Sequence, residues 1–508
     1  MSFLGNRPAL ERAVWLFLAL ASALPFMVAP IPILPDLFSH IGRYHVMNTP
    51  GDPWLSQYYA FDWHVTGNLG ADLLMLLLGP MLGTEKAAYL IAALIPPVMV
   101  WGIYRLSRAL YGQVQAPAYV AIILVWSFTF HHGFINWWLG MALVFHVVAI
   151  WVDIRGAPVV WRAIYAFFAA LLVWLCHTSA WGVLGLIVAG IGFAERKSFV
   201  RFCVSMLPWA APILPMLIWR VTKGGGVLAQ NWWPMVKVHG IRNLLRAEWR
   251  EFDIASVALV ILVTLWLLVD RRFTRHRGLV LAAAALLVTA IALPATVLSS
   301  YFADVRLFAP LLMIALLAVS NLTPKTGAFV ALAGASLFLV RVGETTYGWM
   351  TRGAELEQDL AALNHVPMGA RIVVLSHSTE CGVWPLAGRN HAASLAIVRR
   401  HAFVNTEWDI PGQHLMRPIY NAVYGFNDSR TVDLFNPAYG CPGFRVRRFM
   451  RLVPRDRFDY IWIWEAEAPP ETKKWLNLVY AGPSSRLYAI AKSSDSHSGV
   501  ELSVPTPK

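Results

Sequence analysis

The chain has 508 residues, of which 57% are hydrophobic and only 14% charged, and its formal net charge is +13. Soluble domains carry roughly 25% charged residues, and residues 352–508 look like ordinary soluble sequence, so residues 1–350 must be far too apolar for water. Much of the positive charge lies in short loops between apolar runs, where Lys and Arg set orientation in a membrane. No nucleic-acid motif accompanies it, which excludes a nucleic-acid partner.

In chain order, Arg7 and Arg12 precede the apolar run Ala13–Ile31, which is long enough to serve as an uncleaved anchor. A signal peptide ending near Ala21-Ser22-Ala23 is the alternative, and both place the next segment outside. Residues 32–85 form a first outer segment that ends in Leu69–Leu82, too short to span and suited to an interfacial or re-entrant helix. Ala87–Leu106 returns to Arg105 and Arg108. Pro117–Phe130, Ile135–Val152, Ala163–Leu175, Trp181–Phe193 and Phe202–Trp219 alternate thereafter, and a long outer loop occupies residues 220–253. Ile254–Val269 re-enters at Arg271, Arg272, Arg275 and Arg277; Leu279–Leu298, Leu307–Val319 and Phe329–Val340 complete the set. This assignment puts nearly every basic cluster on one side. It predicts a polytopic α-helical membrane protein of about eleven crossings, N-terminus in and C-terminus out, in a plasma membrane. Residues 351–508 are expected to form an extracytoplasmic α/β domain, with strands at Ala370–Leu375, Tyr460–Trp464 and Arg486–Ala491 and a helical stretch at Ala354–Leu363. Cys381 and Cys441 could pair there, whereas Cys176 and Cys203 sit in or beside apolar runs.

Charge at the inner loops is explained by orientation; charge on the outer side is not, and marks candidate functional residues. Asp36, His40 and Arg43 follow i, i+4, i+7 spacing and share a helix face. A carboxylate beside an imidazole and a guanidinium can act as a general base while the cation holds an anion. The plainer alternative is a helix cap at Asp36 with a surface ion pair. The same loop carries Asp62 and His64. Later outer turns add His131, His132 and Asn136, then His177, then Lys223, then Asp304 and Arg306. These cations suit a phosphate at the membrane surface, or, more plainly, anionic lipid headgroups; for Arg246 and Arg250 the headgroup explanation is preferred. No spacing matches a zinc motif, so no metal is assigned, with a divalent cation as the minority alternative. Gly224-Gly225-Gly226 lacks the residues of a phosphate loop and suits a hinge.

The outer segment opening Asp36-Leu37-Phe38-Ser39-His40-Ile41-Gly42-Arg43 resembles that of the GT-C superfamily of integral-membrane glycosyltransferases. So do the interfacial helix and basic-tailed span Leu69–Arg108, the phrase Gly133-Phe134-Ile135-Asn136-Trp137-Trp138-Leu139-Gly140, and Phe458-Asp459-Tyr460-Ile461-Trp462-Ile463-Trp464 in the tail. The resemblance implies transfer of a sugar from a polyprenyl-phosphate-linked donor to a glycan, lipid or protein acceptor, with membrane lipid as surroundings. It implies Asp36 as base and Asp62 as a second acidic candidate; the first loop lacks the Asp-Glu pair of the best-studied members. A transporter or flippase for a lipid-linked or anionic substrate is the rival expectation, but would place ionisable residues near mid-span and often shows a repeat. A non-catalytic subunit of a glycan-assembly complex is the third.

Overall fold

The computed structural model describes residues 8–223, 228–376, 384–386, 389–410, 414–420, 426–427, 429, 432–433, 443 and 445–491. It is mostly helical. Six helices are long and apolar enough to cross a membrane: Thr84–Tyr111, Ile135–Gly156, Val159–Cys176, Thr178–Glu195, Arg250–Val269 and Pro324–His365. The pair Phe199–Ala210 and Ile213–Thr222, bent by 49°, makes a seventh if it is one span.

Helix length therefore supports six or seven of the eleven expected crossings. Of the others, Pro117–His131, Arg277–Ala292 and Val305–Leu317 are shorter, and Gly70–Leu82, expected as an interfacial or re-entrant helix, is likewise short. The first apolar run is divided into Pro8–Ala21 and Leu24–Val28, with Pro25 opening the second piece. The Pro117–Ala121 turn passes into a 3₁₀ segment, Ile122–Trp126, and both are fully buried. Irregular backbone at membrane depth is tolerated where protein surrounds it.

The last long helix, Pro324–Leu360, runs for 37 residues, roughly 55 Å at 1.5 Å per residue. It continues unbroken past residue 350, and the Ala354–Leu363 stretch supplies its final turns and the 3₁₀ turn beyond. A five-stranded sheet comes next, in the spatial order Leu476–Ala481, Ser485–Ile490, Tyr460–Trp464, Arg371–Leu375, Phe403–Val404. The first two pairings are antiparallel and the last two parallel. All three expected strands are present within a residue of their expected ends. Tyr460–Trp464 is a continuous apolar run buried over four residues, as a central strand with both faces covered requires.

The tail packs directly on the first outer segment. Tyr59–Phe61 pairs antiparallel with Met416–Pro418, and the short helix Leu395–Arg400 lies against Pro35–Asn48. Gly42 permits that approach: a Cβ there would stand 2.7 Å from Ile397 Cδ1. The sheet region thus covers the helix that carries Asp36.

Candidate active-site cleft

The Pro35–Asn48 helix begins with proline at its first turn, where a missing N–H costs nothing. Asp36 is next, at the end where the helix dipole favours negative charge. Its backbone N–H donates to the His132 carbonyl at 2.9 Å. Gly133 makes this contact feasible. It has φ +100°, and a Cβ would lie 2.9 Å from Leu37 N and 3.0 Å from Asp36 N. The Asp36 carboxylate stands 3.2 Å from His132 Nδ1. Burial alone would raise its pKa, but the charge and hydrogen bonding of His132 hold it below its usual value. Asp36 is therefore ionised at neutral pH.

Asp36 opens onto a cleft of about 290 Å³. His40, His132, Asn136, His177 and Arg306 line it from the membrane part, and His391, Trp408, His414 and Asp433 from the tail. Trp408 lies between imidazoles, with ring centroids 4.5 Å from His391, 5.6 Å from His414 and 5.7 Å from His40. Burial pushes His391 down, and His414 down to about 3. Burial, and then the neighbouring Arg43, puts His40 well below its usual value. These three rings are neutral near pH 7.

Arg306 is the cation of the cleft. It is only 7% exposed, and its guanidinium lies 4.4 Å over the Phe134 ring. Among the described residues it forms no ion pair within 4.0 Å. Its Nη1 stands 2.8 Å from His177 Nε2. His177, however, caps the Thr178–Glu195 helix, and its Nδ1 accepts from the Ser179 amide at 3.0 Å. A neutral imidazole has one acceptor nitrogen. With Nδ1 taken, Nε2 carries the proton and cannot accept from Arg306. Asp36 of the same cleft acts on it electrostatically from beyond ion-pair distance, so burial of this guanidinium is only partly compensated, and an anion entering the cleft would add to that compensation.

The wall beside Arg306 is strained. Leu298, Ser299 and Phe302 have φ of 49°, 60° and 57°, and Ser299 and Phe302 line the cleft. A left-handed non-glycine residue costs roughly 1–2 kcal/mol, and such strain gathers at binding sites.

Of the residues singled out in the sequence, the cleft gathers Asp36, His40, His132, Asn136, His177 and Arg306. The others lie elsewhere. Asp62 is exposed at the end of the Tyr59–Phe61 strand, where its N–H donates to Leu415 O at 2.8 Å. His64 Nδ1 sits 3.0 Å from the Asp62 carbonyl. Neither lines the cleft: the short strand pairing turns that stretch to the surface, away from Asp36. His131 points into the core, 5.2 Å from Trp126 and 6.3 Å from Trp349 by ring centroid. Adjacent residues in a helical turn diverge by about 100°, so only His132 can face Asp36. Arg43 pairs with Asp72 at 3.1 Å, and Asp304 with Lys237 at 2.9 Å while accepting from Val305 N. Both pairs are buried and closed. The Lys223 side chain, Gly224, Gly225, Gly226, Cys381 and Cys441 lie outside the described residues.

Sequence reasoning missed the tail's contribution, His391, Trp408, His414 and Asp433. It treated residues 351–508 as a separate unit, although the signal was present: three histidines and a tryptophan fall between residues 391 and 414. Among the described residues, no group of three or more His, Cys, Asp and Glu side chains could hold a metal ion.

No family model matches the chain, and no curated protein matches it. Among solved structures it is similar to that of the arabinofuranosyltransferase AftD from Mycobacteria, at 15% identity and a TM-score of 0.39, covering 94% of this chain and 41% of that one. The chain thus spans less than half the length of that protein.

Proposed function

We propose that this is a membrane glycosyltransferase that moves a sugar from a polyprenyl-phosphate-linked donor to a glycan, lipid or protein acceptor at the outer membrane face. The observation that carries the reading is the presence, in one cleft, of an ionised carboxylate and a buried guanidinium that forms no ion pair within 4.0 Å among the described residues. The sequence resemblance to GT-C enzymes adds to it.

In this reading the acceptor hydroxyl sits beside Asp36. Its oxygen attacks the anomeric carbon as its proton passes to the Asp36 carboxylate. The bond between that carbon and the donor's phosphate oxygen breaks, and the phosphate leaves with the bonding electrons. Arg306 compensates the charge that grows on it, in a site partly closed to water where such stabilisation is strongest. His132 orients the base from 3.2 Å. The neutral imidazoles of His40, His391 and His414 offer hydrogen bonds to sugar hydroxyls without competing as cations. Trp408 gives the apolar face of a sugar ring a surface to lie on.

The direct test incubates the full-length protein with radiolabelled polyprenyl-phosphate sugars and an extract of cell-envelope acceptors. Transfer from at least one donor is expected, and Arg306→Gln should reduce it about 10²–10³-fold, as loss of a transition-state charge partner does elsewhere. Absence of transfer from every donor, with labelled lipid crossing the bilayer of reconstituted vesicles instead, would overturn the reading in favour of a flippase.

A further inference from the structure

Nine residues beyond Asp36 on the same helix, roughly 13 Å along its axis, His45 meets the tail. Its Nε2 lies 3.3 Å from His401 Nε2. His401 ends the Leu395–Arg400 helix with φ 47°, in the left-handed region. A side chain placed by strained backbone suggests that its position matters.

The far nitrogens of both rings are occupied. His401 Nδ1 is 2.8 Å from Asp52 Oδ2, and His45 Nδ1 is 3.2 Å from Thr84 Oγ1. An ionised carboxylate only accepts, so His401 Nδ1 holds the proton and its Nε2 presents a lone pair to His45. Two imidazole nitrogens bound to zinc at 2.0–2.1 Å with tetrahedral angles stand roughly 3.3–3.4 Å apart. The observed separation of 3.3 Å equals that edge. A carboxylate on the far nitrogen is the arrangement that fixes and strengthens metal-bound histidines. Asp52 supplies it and adds negative charge nearby.

We propose that His45 and His401 form a two-histidine site for a divalent transition metal of the zinc type. Asp52 and Thr84 fix the two rings, and water completes the coordination. Imidazole pairs suit zinc, copper and nickel. The site is separate from the cleft and does not depend on the proposed reaction. Its place, between the helix that carries Asp36 and the helix of the tail that packs on it, makes it a clamp between the membrane part and the sheet region. The competing arrangement is a metal-free chain of hydrogen bonds, Thr84 to His45 to His401 to Asp52.

The test uses full-length protein in detergent, stripped with chelator and dialysed against zinc chloride. Bound zinc is counted by elemental analysis, and cobalt chloride serves as an absorbance probe of tetrahedral geometry. Wild type should retain one more zinc per chain than His45→Gln and than His401→Asn, the latter chosen because asparagine tolerates the left-handed backbone. Asp52→Asn should weaken binding about 10–100-fold. Zinc should raise the unfolding temperature of wild type and leave both histidine variants unmoved. Equal zinc content in wild type and the two histidine variants, or no zinc in wild type, would overturn the proposal and leave the hydrogen-bonded chain.

Discussion

Asp36 and Arg43 lie seven residues apart on one helix, both are buried, and their surroundings could hardly differ more. Arg43 faces Asp72 at 3.1 Å, and the Asn136 amide joins the same carboxylate at 3.3 Å. That pair is 3% and 0% exposed and contributes no wall to the cleft. Asp36 faces an open volume, with His132 beside it and Arg306 across the cleft without a carboxylate of its own among the described residues. One end of the helix finds its counter-charge within the protein and so serves structure. The other keeps charge in hand for something that comes and goes. Burial and charge alone did not separate the two; the completeness of their pairing does.

That contrast can be broken most forcefully at Asp36. Asp36→Asn keeps the shape and removes the base, so sugar transfer should fall about 10²–10⁴-fold, measured as initial rate at saturating donor. Arg43→Met should act on stability instead. It leaves Asp72 buried and unpaired, a loss of about 3–5 kcal/mol, and Asp72→Leu on top of it should recover much of that; denaturation midpoints of the single and double variants check it. Glu407 sharpens the picture through pH. It is buried against Ser39 of the same helix at 2.7 Å, and burial pushes its carboxyl up to about 7 from 4.5. A raised carboxyl stabilises the fold in its protonated form. Its contribution is full below about 4.5 and is lost as pH rises through about 7, up to about 3 kcal/mol at 1.36 kcal/mol per unit. Unfolding temperatures from pH 5 to 8 should therefore flatten in Glu407→Gln. Gly133→Ala should lower the rate about tenfold and the stability by about 1–2 kcal/mol, because φ is +100° there and its Cβ pushes on the backbone that sets Asp36; activity and melting measured on one preparation check it.

Hydropathy made the membrane part legible, and short continuous apolar runs made Arg371–Leu375 and Tyr460–Trp464 legible, because both signals are local. The i, i+4 spacing brought Asp36 and His40 to one side of the cleft, as expected. The same rule placed Arg43 one turn too far along, where a buried partner from the Gly70–Leu82 helix captured it. No local pattern announces Asp72 as that partner, since it lies in an apolar run and looks like a first-turn acid. The apolar segments hidden inside the protein were the hardest to delimit, because buried segments such as Ile122–Trp126 need neither full span length nor regular helix. The histidines and tryptophan of the tail reach the cleft only through a fold that brings together His40 and Trp408, far apart in the chain, and sequence spacing carries no record of that.

The most direct measurement sets Asp36→Asn beside Asp72→Asn, with thermal unfolding and sugar transfer from polyprenyl-phosphate-linked donors recorded on the same samples. Asp36→Asn should melt with wild type and transfer almost nothing. Asp72→Asn should melt well below wild type yet keep its transfer rate per folded molecule. Transfer at the wild-type rate by Asp36→Asn, or a loss of stability in it equal to that of Asp72→Asn, would contradict the division of this helix into a reactive end and a structural one.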